Sequence, residues 1–318
     1  MYNLQCTMSV KIAKQFLLIY QIFCFAKNTL IINYKTRSVF EVEKKRISLA
    51  DLDLLKKSFK QSGLHTVCQA AKCPNIGECF KHKTATFMIL GDVCSRNCAF
   101  CATTHGKPLD IDKDEPLKLA NTIKNLGLKY VVITSVTRDD LPDGGAEHFK
   151  NVVNVIRKEI SDIKIELLVP DFKGDTKSID TVLSSKPDVF GHNVETVPSL
   201  YKFRKWADYN RSLDVLSYAK QKGFITKTGI MLGLGETENQ LLELFKDLKK
   251  TDCDILTIGQ YLKPLKDNAD MVKEYTNEEF EYLKQKALEA GIKTCVSGKY
   301  VRSSYFAENT YQFLQNKN

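Results

Sequence analysis

A chain of 318 residues with 43% hydrophobic and 27% charged side chains has the balance of a folded globular protein, which excludes disordered, collagen-like and multi-span membrane classes. Its formal charge of +9 is lopsided: the first 50 residues hold eight Lys/Arg against two acids, leaving +3 for the other 268, so the body lacks a basic nucleic-acid face and no nucleic-acid partner is expected. Ten cysteines are too sparse for a secreted disulfide scaffold and point to metal or redox chemistry in a reducing compartment.

The amino terminus joins the basic MYNLQCTMSVKIAK to QFLLIYQIFCFA, an apolar run too short for an ordinary transmembrane helix, and then to the acid-poor KNTLIINYKTRS. A signal-peptide core, a leader for a plastid or mitochondrion, and a non-functional extension all fit. No clear small-residue cleavage site follows, which favours the last and a cytoplasmic protein without a membrane partner. SLADLDLLKKSFKQSG (48–63) has helical spacing, a serine at its start and Gly63 at its end, and predicts a short helix. HTVCQAAKCPNIGECFKHK (65–83) has no sustained period and suits a loop wrapped around a metal.

From there strands and helices alternate. Apolar runs at 85–93, 130–136, 163–170, 188–195, 225–233 and 255–261 predict six buried strands. Helical patterns lie between them at 115–127, 146–160, 176–186, 210–223 and 237–250, with a further one at 277–291. Strands of continuous hydrophobicity separated by helices indicate an α/β fold with a covered parallel sheet, either doubly wound or barrel-like. The polar strand ends (Asp92, Thr137 to Asp140, His192 to Glu195, Gly233 to Glu236, Gln260) all fall at carboxyl ends, where parallel barrels keep their chemistry, and this favours a partial parallel (β/α)6 barrel. The expected organisation is an extension over 1–47, a cysteine segment over 48–84, the barrel over 85–262 and a carboxyl-terminal extension over 263–318.

Six cysteines form two triplets, Cys68, Cys73 and Cys79 (C-x4-C-x5-C), then Cys94, Cys98 and Cys101 (C-x3-C-x2-C). Each is one ligand short of the four thiolates that usually hold an iron–sulfur cluster, so each leaves an iron open to another group. A Cys3His zinc site from Cys94, Cys98, Cys101 and His105, with a counterpart around Cys79 and His82, is the alternative and would make the protein a double-zinc binding module. Cys6, Cys24, Cys253 and Cys295 stand alone and read as small buried hydrophobes.

The second triplet follows the first barrel strand and has Phe100 before its last cysteine, which resembles the signature of the radical S-adenosylmethionine (SAM) superfamily. That resemblance implies a [4Fe–4S] cluster on Cys94, Cys98 and Cys101, SAM on the fourth iron, and a 5′-deoxyadenosyl radical as the reactive species. GIMLGLGE (229–236) resembles the superfamily's glycine-containing SAM segment, with Gly229, Gly233 and Glu236 as contacts. TSVTRDD offers Thr134, Ser135 and Asp139, and GHNVETVP offers Asn193, as further SAM contacts.

With CQAAKCPNIGECF, VVITSVTRDDLPDGGAEHF, GHNVETVP and VRSSY added, the likeness over 48 to about 310 is to the lipoyl synthase family. It implies an auxiliary [4Fe–4S] cluster on Cys68, Cys73 and Cys79 closed by a serine of R-S-S-Y, assigned to Ser304 ahead of Ser303, and used as the sulfur source for carbons 6 and 8 of an octanoyl chain. The implied partners are the octanoylated lipoyl carrier domain (E2 subunits or the glycine cleavage H protein), an electron donor such as ferredoxin or flavodoxin, and an iron–sulfur cluster carrier. A biotin synthase-like sulfur-inserting enzyme is the rival reading, although that family builds its second cluster inside the barrel. The segment LYKFRKWADYNRSL (200–213) departs from the family pattern, with Lys205 and Trp206 in place of proline and a small residue.

Overall fold

The expected strands form one sheet whose order follows the chain. Strand β1 (His65–Thr66) pairs antiparallel with β2 (Thr84–Ile89), while a separate parallel pair, β3 (Val93–Cys94) and β4 (Thr104–His105), frames the second cysteine triplet. Next to β2 lie β5 (Tyr130–Ser135), β6 (Lys164–Leu168), β7 (Val189–Gly191), β8 (Thr226–Leu232), β9 (Ile255–Gln260) and β10 (Thr294–Gly298), all parallel. The order ends at β1 and β10 without joining them, which is an open, partial barrel. This computed structural model describes residues 64–67, 75, 79 and 84–316; the helix expected over 48–63, Cys68, Cys73 and the amino-terminal extension lie outside the described residues.

The six strands expected from sequence are present, and β10 adds a seventh parallel strand from the carboxyl-terminal extension. The run 85–93 is broken after Ile89, because Leu90 (φ 67°) and Gly91 (φ 88°) are both left-handed. Glu115 accepts the Leu90 N–H at 3.0 Å and Arg138 donates to its carbonyl at 3.2 Å, so polar side chains fix the kink that turns the chain into β3.

Helices α1 (Glu115–Asn125), α2 (Ala146–Glu159), α3 (Thr176–Leu183), α4 (Tyr209–Gln221), α5 (Glu238–Lys250) and α6 (Asn277–Glu289) cover the outer face. Their starts are fixed by side chains: Asp175 caps α3, Asp208 caps α4, and Thr237 with Gln240 and Thr276 with Glu279 make capping boxes on α5 and α6. One buried cluster joins Val131, Ile133, Ile165 and Leu167 to Leu119, Phe149, Val153 and Ile179; a second joins Ile230, Leu232, Leu256 and Ile258 to Leu244, Phe245, Phe280 and Leu283. Cys253 and Cys295 are buried, as read from sequence.

The alternate residues of the same strands point inward, since side chains switch faces at each step. Tyr130, Val132, Val189 and Ile255 meet a last helix, α7 (Ala307–Gln315), through Ala307, Tyr311 and Leu314. At the same end Lys227 pairs with Glu166 at 2.8 Å and Tyr130 donates to Glu166 at 2.8 Å, all three buried. The carboxyl-terminal extension therefore plugs the amino end of the barrel, leaving the carboxyl ends of the strands as the working face.

Candidate active site

The loop carrying Cys94, Cys98 and Cys101 is held at the carboxyl ends of the strands by Arg96. Its buried guanidinium bonds Asp139 after β5 at 2.6 and 2.9 Å and Asp171 after β6 at 2.7 Å, stapling the loop to two strand ends. Burial alone would raise the Asp171 carboxyl, but the hydrogen bond and charge of Arg96 outweigh it and bring it down to about 2. Ser95 donates to the Thr137 carbonyl at 2.9 Å and accepts from Asp139 N at 3.0 Å, while Ala99 N–H donates to the Phe203 carbonyl at 2.8 Å. Asn268 donates to the carbonyls of Ala99 and Cys101, both at 3.0 Å. Arg96 was not singled out from sequence; a charged residue between closely spaced cysteines was the one signal for it.

The sulfurs are prepared as acceptors. Cys94 Sγ receives the N–H groups of Arg96 and Thr137 at 3.4 and 3.3 Å, and Cys101 Sγ that of Thr103 at 3.4 Å. Burial pushes the Cys98 thiol up to about 12, with only Arg204 opposing it, and burial likewise raises Cys101. The protein matrix alone thus keeps Cys98 protonated at neutral pH, and binding to iron is what would release its proton. Among the described residues no three His, Cys, Asp or Glu side chains converge on one metal-ion position. His105 sits opposite Cys94 in the β3–β4 pair and is exposed.

The remaining sequence-predicted residues sort by what they already bond. Thr134 donates to the Leu168 carbonyl at 2.8 Å, and Asp139 is engaged by Arg96. Glu236 accepts the N–H groups of Gly233 and Leu234 at 2.6 and 2.9 Å, so it closes the turn after β8. Gly233 (φ 103°) is required there, because a side chain would run into Gln260 and the Lys273 carbonyl. Ser135 Oγ, by contrast, is buried without a partner among the described residues, as are Nε2 of His192 and Oγ1 of Thr196 after β7. His192 gives its Nδ1 to the Val169 carbonyl at 2.9 Å, and burial with the Arg204 charge brings it down to about 4, so the ring is neutral at pH 7. Orphaned buried polar atoms at strand ends are what a polar ligand would satisfy.

Glu195, outside the residues first selected as SAM contacts, is strained at φ 69° beside these groups and bridges to Ile230 of β8. Burial raises its carboxyl, against Arg204 and a hydrogen bond from Asn193. Asn193 also donates to Ser303 Oγ at 2.7 Å. Gly229 makes room for this meeting, since a Cβ there would lie 2.8 Å from Thr257 Oγ1, 2.9 Å from Asn193 Oδ1 and 2.9 Å from Ser303 Oγ. The R-S-S-Y segment thus runs through the barrel interior, with Gly259 of β9 against the Val301 carbonyl. The Ser304 hydroxyl has no hydrogen-bond partner among the described residues. Of the first triplet, Cys79 is described; its N–H donates to the Asn75 carbonyl at 3.0 Å, and Asn75 Nδ2 donates to the Tyr300 carbonyl at 2.5 Å.

A partial parallel barrel with a three-cysteine loop at its carboxyl rim defines the class, and residues 88–248 match the Radical SAM superfamily. Among solved structures the fold is shared with methylornithine synthase (PylB; TM-score 0.50, 14% identity, 80% of this chain and 83% of the other) and with Streptococcus suis SuiB bound to precursor peptide SuiA (TM-score 0.53, 13% identity, 91% and 63%). The chain is 52% identical over 261 residues to the lipoyl synthase of Caldicellulosiruptor saccharolyticus, covering 81% of this chain and 92% of that one. It is 49% identical over 256 residues to that of Aquifex aeolicus, covering 80% and 93%. The chain belongs to the lipoyl synthase family. Its activity is accordingly radical SAM sulfur insertion in lipoyl-cofactor synthesis, with an iron–sulfur cluster and SAM as cofactors.

Proposed function

We propose that Cys94, Cys98 and Cys101 hold the radical SAM [4Fe–4S] cluster, and that Cys68, Cys73, Cys79 and Ser304 hold an auxiliary [4Fe–4S] cluster that donates sulfur. The substrate is an octanoyl chain on a lysine of a lipoyl carrier domain, an E2 subunit or the glycine cleavage H protein, with sulfur placed at carbons 6 and 8. The residues fit the first group: three thiols on one loop, backbone N–H groups on two sulfurs, and burial that pushes the Cys98 thiol up so that it needs a metal to ionise. When bound, that group supplies the electron that cleaves the sulfonium bond of SAM.

The protein's own part is to hold and orient. Arg96 fixes the loop against β5 and β6, while Ser135, His192, Asn193 and Glu195 present polar atoms to SAM from the strand ends. Glycines 229 and 233, Thr134, Asp139 and Glu236 shape the same floor by setting the backbone and the loop around it. Helix α7 closes the opposite end and keeps water from entering there.

The observation that carries the auxiliary site is the bond from Asn75, which lies between Cys73 and Cys79, to Tyr300, just ahead of R-S-S-Y. It supports bringing a serine from the end of the chain to the first triplet. The bond from Asn193 to Ser303 supports Ser304 ahead of Ser303 as the iron ligand. On this reading 48–84 is the auxiliary-cluster segment, 85–262 the barrel, 263–318 an extension that adds α6 and β10 to the barrel wall and then carries R-S-S-Y and α7 inside it, and 1–47 a segment ahead of the fold of a cytoplasmic enzyme. A ferredoxin or flavodoxin supplies electrons, and an iron–sulfur carrier rebuilds the spent cluster. None of the described helices is long and apolar enough to cross a membrane.

The test replaces Cys68, Cys73 and Cys79 together by alanine. Anaerobically reconstituted protein should fall from about eight irons per chain to about four, still cleave SAM with dithionite, and add no sulfur to an octanoyl-lysyl peptide. Loss of SAM cleavage together with sulfur insertion would contradict the division of labour.

A further inference from the structure

The segment after β7 carries a surface that the chemistry above does not use. Trp206 is 59% exposed and sits at φ 67°, a backbone conformation that a bulky side chain rarely adopts. Lys205 lies over its ring at 4.9 Å and Lys202 over the Phe203 ring at 5.6 Å, with both lysines exposed. Of the four cations in residues 199–211, Arg204 bonds the Val194 carbonyl at 3.2 Å and Arg211 lies 3.6 Å from Asp171, so Lys202 and Lys205 are the charges this surface presents. The segment also touches the cysteine loop: the Phe203 carbonyl accepts Ala99 N–H at 2.8 Å, one residue from Cys98.

We propose that Lys202, Lys205 and Trp206 form the docking site of a small acidic electron-carrier protein that reduces the iron–sulfur centre of the Cys94–Cys98–Cys101 loop. The inference rests on the cluster assignment above. An exposed tryptophan under a lysine stands here at a left-handed φ where glycine would relax the backbone, which points to use of the ring. A patch of one aromatic and a few lysines suits the small, salt-sensitive encounters typical of redox partners. In each encounter the carrier's reduced centre loses one electron and the cluster gains it; no proton or group is transferred. Contact one residue from Cys98 keeps that transfer short, whereas an octanoyl chain has to enter through the barrel mouth.

The experiment follows 5′-deoxyadenosine formation by the anaerobically reconstituted full chain, driven either by reduced acidic flavodoxin or by dithionite. The Lys202→Glu/Lys205→Glu variant should raise the half-saturating flavodoxin concentration about tenfold at low salt, since reversing rim charges mainly slows encounter. Its dithionite-driven rate should stay within about twofold of wild type, because a small reductant needs no docking surface. Trp206→Gly, which relaxes the backbone, should melt no lower than wild type yet lose flavodoxin efficiency. Unchanged flavodoxin saturation in both variants would overturn the proposal. So would a rise in the half-saturating octanoylated carrier domain instead, or loss of the dithionite-driven rate, which would place the segment in carrier binding or in the site itself. Failure of the wild type to cleave SAM with dithionite would instead count against the cluster assignment.

Discussion

Gly259→Ala is the substitution that most sharply probes the path of R-S-S-Y through the barrel. Gly259 is paired on both sides, opposite Met231 of β8 and Gly298 of β10, so its own backbone has little freedom to retreat. A Cβ there would run into the Val301 carbonyl oxygen, with Val301 C at 3.2 Å and Arg302 Nη1 at 3.4 Å. The obstacle is backbone, so no rotamer change relieves it, and the segment after Tyr300 must move. Overpacking of this kind costs about 1–3 kcal/mol. At 2–4 °C per kcal/mol for a body of this size, a central value of about 2 kcal/mol lowers Tm by roughly 4–8 °C. If the segment leaves the interior instead, Ser304 goes with it, and auxiliary iron should be lost while SAM cleavage persists. Gly298→Ala is the control, because its Cβ would meet only Val301 Cγ2 at 3.5 Å, an ordinary contact. Thermal melts and iron analysis of the two variants decide the matter: wild-type Tm and full iron content in Gly259→Ala would refute the threading.

Arg96→Met leaves the buried Asp171 with only Arg211 at 3.6 Å and the Lys173 N–H, and should cost about 3 kcal/mol and shed radical-cluster iron even though every thiol remains, as melting and iron analysis would show. The folded-state pKa of Asp171 is depressed to about 2 from 3.8, so its contribution is complete above the unfolded value and lost as pH falls through about 2; acid unfolding followed by circular dichroism should therefore be less steep across that window in Asp171→Asn. Leu314→Ala should destabilise by about 2–5 kcal/mol and make the carboxyl terminus a faster protease target, since α7 anchors on Val189 and Ile255 through that side chain.

The barrel was legible because its strands are continuous apolar runs and its helices carry caps and stripes, both of which are local signals. TCVSG of β10 escaped because it is short and ends in serine and glycine; only its place beside β9 makes it a strand. The two cysteine triplets stand out by spacing, while their roles as cluster ligands come from the family resemblance. The contacts of Thr134, Asp139 and Glu236 were not, because whether a polar strand end faces a ligand or bonds its own neighbours depends on partners such as Leu168, Arg96 and Gly233. Arg96 with Asp139 and Asp171 joins residues up to 75 positions apart, and Asn193 with Ser303 joins residues 110 apart. Pairings of that range follow from topology rather than periodicity.

In the proposed function the two cysteine triplets hold clusters of different fate, one to cleave SAM and one to be consumed, and this division is open to direct measurement. It is tested most directly by reconstituting the chain with heavy-isotope sulfide and weighing an octanoyl-lysyl peptide after incubation with SAM and dithionite in unlabelled buffer. The product should carry two heavy sulfurs, form at most once per chain, and appear in step with the loss of auxiliary iron. Product carrying unlabelled sulfur, or formed while the auxiliary iron stays intact, would contradict that division.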